Sequence, residues 1–211
     1  MGVPFTPPTQ KGRDFETKAL GIRDFAGLRD VTDPLDPFEL AHYAGLVVMR
    51  FDEVSHLLSD EARERLLGSG SDKWSGGAVA QPLPDGKKLI ILNPVQGLNR
   101  QRATLMEEIS HVFLGHQPSR LGIETTGKNG EVVARDYHPE IEEEAYGVGA
   151  AALVPYLALV RFLSEGKTIR EMAKHFEVSR DLVEYRLRVS RLWDEYSRYN
   201  EKWPVGSEAS R

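Results

Sequence analysis

The 211-residue chain has no cysteine. Disulfides, thiol nucleophiles and cysteine-bound metal are therefore excluded, which leaves histidine and carboxylate as the strong ligands available. Long apolar runs are missing too. None approaches the roughly 18 residues that span a bilayer, and the start, Met1 to Pro8, lacks the apolar centre of a secretory signal. Positive charge is not in excess: 27 Lys+Arg against 32 Asp+Glu leave a net charge of -5. Global charge thus gives no reason to expect nucleic acid as the main partner. A soluble cytoplasmic protein with no membrane partner is expected. At 40% hydrophobic content, the chain can bury a core as one domain or one domain plus a small appendage.

Residues 1–13, rich in Pro, Thr and Gly, read as a flexible N-terminus, and residues 200–211 as a flexible tail. A helix is expected from about Asp14, with Phe15, Ala19 and Ile22 at helical spacing. Asp36 and Pro37 are the N-cap and first-turn residue of a second helix. Gly45 ends it, and Leu46 to Arg50 read as a strand. A helix over Phe51 to Leu67, a Gly/Ser-rich loop over Gly68 to Gly77 and an apolar strand over Lys87 to Leu92 follow. Asn93 to Leu98 turn the chain into a further helix, which Gly115 stops. Ile123 to Thr126 and Glu131 to Tyr137 alternate across Asn129-Gly130 as a hairpin. Helices then run from Pro139 to Val154 and from Pro155 to about Gly166. Thr168 with Glu171 forms a capping box, and Ser179 caps the last helix of a pair. Helices flanking a small sheet make the fold class α+β. The expected division is 14–166 as one domain and 167–199 as a helical appendage.

The chemistry concentrates in Met106 to His116, which contains Glu107-Glu108-Ile109-Ser110-His111. Zinc peptidases carry H-E-x-x-H on a helix, two histidines one turn apart with a glutamate as general base. Here Glu107 and His111 stand at i and i+4 and project from one helical face. Glu108 is placed to act as general base on the attacking water. Two ligands do not make a zinc site, and the acidic helix offers a third among Glu142, Glu143 and Glu144. Its small residues, Gly147, Gly149, Ala150 and Ala151, allow close packing on the motif helix. The bland readings are a dipole-favoured acidic helix start, an exposed Glu107-Glu108 charge pair and a half-buried structural His111.

Arg100 to His116, preceded by the Lys87 to Leu92 strand and Asn93, resembles the ImmA/IrrE-type metallopeptidases. So do Glu142-Glu143-Glu144-Ala145 leading to Leu153-Val154-Pro155, and Asp33 to Ala41 with the Gly45 to Val48 strand. The resemblance spans roughly Asp14 to Trp193. It implies a gluzincin-like core, one divalent ion and metal-assisted peptide hydrolysis, with Glu108 as catalytic base. It also implies Glu107, His111 and Glu144 as ligands, the last because it directly precedes Ala145. The departure is Glu107, which stands where the family has its first histidine. This makes the site harder and more anionic, so zinc is expected with manganese as a competitor. His116, His138 and Glu143 are further candidate ligands. Tyr137, His138 and Arg102 are candidate oxyanion donors, and Arg102 is equally a candidate for an ion pair near the helix start.

Thr168 to Trp193 reads as a helix-turn-helix-like pair with an apolar set of Met172, Ala173, Phe176, Val178, Leu182, Val183 and Leu187. Arg180, Arg186, Arg188 and Arg191 lie on the second helix or just beyond it. By resemblance the chain is a regulatory endopeptidase that cuts a partner helix-turn-helix repressor. The rivals are a catalytically inactive binding module and a DNA-binding regulator built on those arginines.

Overall fold

The computed structural model describes residues 5–57, 59–68, 71, 74–78, 82–116 and 138–202. In chain order the elements are α1 (Gln10–Phe25), α2 (Pro37–Tyr43), β1 (Leu46–Arg50), α3 (Phe51–Val54), a 3-10 turn (Ser55–Leu57), α4 (Asp60–Leu67), β2 (Gly76–Ala78) and β3 (Lys88–Leu92). Then come α5 (Leu98–Phe113), α6 (Pro139–Leu153), α7 (Tyr156–Ser164), α8 (Ile169–Phe176), α9 (Arg180–Val189) and α10 (Trp193–Lys202). The α+β class holds: a three-stranded sheet is flanked by helices. Oxygen-bearing caps start several helices where the sequence placed them. Asp36 accepts from the Phe38 amide, Thr168 and Glu171 bond reciprocally, and Ser179 accepts from the Leu182 amide.

Three expectations change. α1 begins at Gln10 rather than Asp14, because Thr9 serves as its N-cap and accepts from the Gly12 amide. The single helix expected over Phe51 to Leu67 breaks at a 3-10 turn. There the Ser55 hydroxyl donates to the Asp52 carbonyl at 3.0 Å, a local bond that competes with helix propagation. β2 lies inside the stretch read as a Gly/Ser-rich loop. A Cβ on Gly76 would come within 2.9 Å of both the Ile91 carbonyl and Thr104 Cγ2, so the missing side chain is what admits this strand. The hairpin expected over 123–137 lies outside the described residues.

The chain packs as two units, one comprising Asp36–Gly149 and the other α1 with the helices from Ala150 onward. In the first, β3 is central. It pairs in parallel with β1, Leu46 opposite Lys88, and antiparallel with β2, Gly76 opposite Leu92. α5 packs on β2 and β3, and α2 on α5 and β1. Ile90, Leu92, Leu105, Met106 and Ile109 have no exposed surface, so sheet and helix share one apolar layer. Asn93, fully buried, closes the end of β3: its amide group donates to the Ser71 and Trp74 carbonyls at 2.6 and 2.8 Å. Its Oδ1 accepts from the Val95 amide. That side chain starts the turn into α5.

The second unit buries the whole apolar set read from Thr168 onward, together with Tyr156, Leu159 and Phe162. The αL residue Glu177 (φ 54°, ψ 43°) turns α8 toward α9. Its centre also holds charge. Arg186, counted among the basic residues of a nucleic-acid face, is 4% exposed and bonds to the Glu16 carboxylate and the Val154 carbonyl. Arg188 is no free cation either: it lies over the Trp193 ring at 3.9 Å. Glu16 also accepts from the Tyr156 amide, and Arg23 donates to the Ala152 carbonyl at 2.9 Å. Burial pushes the Glu16 carboxyl above its ordinary range, against the opposing pull of Arg186, the Tyr156 amide and Arg23. No single helix among the described residues is long and apolar enough to cross a membrane.

Removing one partner of a buried ion pair costs more than removing both. Arg186→Leu, which leaves Glu16 without its nearest cation, is expected to cost about 3–5 kcal/mol in chemical denaturation. Glu16→Leu combined with Arg186→Leu is expected to recover part of that loss. Equal stabilities for single and double variants would contradict the coupling.

Candidate metal centre

α5 buries Thr104, Leu105, Met106, Ile109 and Ser110, and this stripe fixes the direction of everything else on the helix. Glu107 and His111 lie beside it, one turn apart and half-buried. Glu108 is also half-buried. α6 meets this helix through Gly149: a Cβ there would stand 3.1 Å from Ser110 Oγ and 3.2 Å from the Met106 carbonyl oxygen. The helices can come this close because the position has no side chain. Ser110 further satisfies its hydroxyl on the Met106 carbonyl at 2.8 Å.

Glu142 precedes Gly149 by seven residues, two turns along the same face of α6. The contact that seats Gly149 on α5 therefore also brings Glu142 to the motif. One ligand atom each from Glu107, His111 and Glu142 lie within 4.8 Å of one another. His111 Nε2 is 3.6 Å from Glu142 Oε2. Ligands about 2.0–2.2 Å from a tetrahedral ion are separated by roughly 3.4 Å, so the cluster needs only a small contraction to close on one cation. Three protein ligands with one position left open is the arrangement of catalytic rather than structural zinc sites. The donor set fits a divalent cation.

Of the residues expected in the site, Glu107 and His111 are brought together. Glu142, one of the three glutamates the acidic helix offers, joins them, whereas Glu144, the ligand implied by the resemblance, takes a different position. Glu144 Oε2 is 3.1 Å from His116 Nε2, and His116 Nδ1 is 3.0 Å from His111 Nδ1. Glu143 and His138 are exposed, and the His138 carbonyl accepts from the Ile141 and Glu142 amides at the start of α6. Arg102 Nη1 stands 3.8 Å from Asp36 Oδ1, which suits the ion-pair role. Tyr137 lies outside the described residues. The signal that could have found Glu142 is its seven-residue spacing from the small residue on the packing face.

His116 reaches His111 through the backbone. Gly115 adopts φ 69°, its amide donates to the Val112 carbonyl, and the His116 amide donates to the His111 carbonyl at 2.9 Å. These are the two bonds of a Schellman stop. A larger side chain at 149 separates the helices that form the site. Gly149→Val is expected to lower stability by about 1–3 kcal/mol and to weaken metal binding, read by thermal melting with and without added zinc. Unchanged affinity would separate the site from this contact.

The family model described as IrrE N-terminal-like domain, of the M78 peptidases, matches residues 68–188. No curated protein sequence matches the chain. The match takes in α5 and α6 and covers more than half of the 211 residues. Two carboxylates and a histidine converge within it on one point, and the chain belongs to the ImmA/IrrE-type family of metal-dependent peptidases.

Proposed function

We propose that the chain is a regulatory metal-dependent endopeptidase of the cytoplasm that cuts a partner transcriptional repressor of helix-turn-helix type. The observation that carries this reading is the convergence of Glu107, His111 and Glu142 within an M78 peptidase sequence. Glu107 and His111 would hold a divalent cation, and Glu142 would complete the set by distance. Glu144, the third ligand implied by motif position, lies against His116 instead. Such a cation would supply Lewis-acid polarisation of the scissile carbonyl and of the attacking water. Glu108, beside Glu107 on α5, takes the proton from that water and delivers it to the leaving amine. Zinc is the expected ion. The second carboxylate in place of a histidine makes the donor set harder, which favours manganese as a competitor. The α8–α9 pair is helix-turn-helix-like in sequence and serves here as core, its central arginine being bonded to Glu16.

Glu107 itself favours a second reading. If the extra negative charge blunts water activation, the same scaffold binds its repressor without cutting it. Metal content and one substitution separate the two. Untagged protein purified without chelator is expected to carry about one equivalent of zinc or manganese, lost in the Glu107→Ala/His111→Ala double variant. Glu108→Gln is expected to keep the metal while cleavage of a repressor encoded beside the gene falls by about a hundredfold or more. Metal-free wild-type protein that stays metal-free after loading would establish the binding module.

A further inference from the structure

Four side chains form a line that the ligand set alone does not explain. Glu144 Oε2 faces His116 Nε2 at 3.1 Å, His116 Nδ1 faces His111 Nδ1 at 3.0 Å, and His111 Nε2 faces Glu142 Oε2 at 3.6 Å. The hydrogen-bonding inventory of these groups dictates how protons sit along it. An ionised carboxylate only accepts, so His116 Nε2 carries the hydrogen that lies toward Glu144. In a neutral imidazole Nδ1 is then the acceptor. The facing His111 Nδ1 must donate, since two lone pairs or two N–H groups at 3.0 Å repel. A neutral His111 that donates from Nδ1 has a bare lone pair on Nε2. With both rings neutral, that lone pair faces Glu142 Oε2 on the side of the Glu107, His111 and Glu142 cluster, where it can serve as a metal ligand.

We propose that Glu144 and His116 are positioning residues that fix the His111 tautomer through a carboxylate–histidine–histidine relay and so present Nε2 as the metal ligand. This rests on the metal-dependent reading given above and adds a second layer to its site. Ligating histidines ordinarily donate their other ring nitrogen to a carboxylate or carbonyl, and loss of that partner costs about tenfold to a hundredfold in metal affinity. Here a second imidazole stands between the ligand and the carboxylate. Burial suits the role: the His116 side chain is 10% exposed and the Glu144 side chain 27%. The rings meet edge to face, with centroids 5.1 Å apart and planes inclined at 68°, so His116 also fixes the plane of the ligand.

The test uses full-length wild-type protein, His116→Leu, His116→Asn and Glu144→Leu, with zinc and manganese affinities measured by competition calorimetry. Histidine tautomers are read in metal-free protein from imidazole 15N correlation spectra, His111 being assigned by its disappearance in His111→Gln. Expected results are an Nδ1–H tautomer for His111 in wild type, and affinity reduced about tenfold to a hundredfold in His116→Leu and Glu144→Leu. His116→Asn, whose side-chain oxygen can replace Nδ1 as acceptor, is expected to lose less. Melting temperatures identify any variant that loses affinity by failing to fold, and for such a variant the wild-type spectrum decides. An Nε2–H tautomer of wild-type His111, or undiminished affinity in folded His116→Leu, overturns the relay. Wild-type protein that binds neither ion overturns the metallopeptidase reading instead, and the metal-free spectra still decide the relay.

Discussion

The site depends on how closely α5 and α6 approach each other at Gly149. That contact is set by backbone and a hydroxyl, the Met106 carbonyl and Ser110 Oγ, rather than by interdigitated side chains. Backbone does not repack, so the contact has little freedom to adjust. The residues that carry charge inherit their positions from it: Glu107 and His111 flank the buried stripe of one helix, and Glu142 lies two turns from the glycine of the other. Sheet and caps act upstream. Asn93 fixes where β3 ends and α5 can begin, and Gly76 admits the edge strand over which α5 packs.

Local signals in the sequence were enough to place much of this. The apolar run at Lys88–Leu92, the Asp36, Thr168 and Ser179 caps and the Gly115 stop each depend on neighbours a few residues away, and each stands where expected. The apolar set of the C-terminal helices is buried as read. What escaped depends on distant partners. Glu142, Glu143 and Glu144 are chemically identical, and successive residues turn by about 100° around a helix. Only the tertiary contact at Gly149 selects which of them faces His111. Arg186 looked like one of several surface cations, and its burial is set by Glu16, 170 residues away in the chain. β2 has no apolar alternation because its place in the sheet depends on the absence of side-chain bulk.

The glutamate at position 107 changes the electrostatics of the site more than its shape. With both carboxylates ionised and His111 neutral, the three ligands bring two negative charges to one point, where a two-histidine set would bring one. A divalent ion is then neutralised by its ligands, and the polarising field it exerts on a bound carbonyl is correspondingly weaker. The same charge binds hard cations more strongly. Choice of metal and rate of chemistry are thus set against each other at a single residue.

Because the His116 amide bonds to the His111 carbonyl while the two rings meet through Nδ1, the ligand and its support occupy the last turn of α5 and the stop beyond it. Helix ends are where native proteins open first, with local free energies far below that of global unfolding. Fraying of this turn would release the support and the ligand together. A cation bound to the folded turn would oppose fraying by mass action, so metal occupancy and order at the end of α5 form one equilibrium. Amide exchange over residues 111–116 would therefore report the filling of a site formed by side chains.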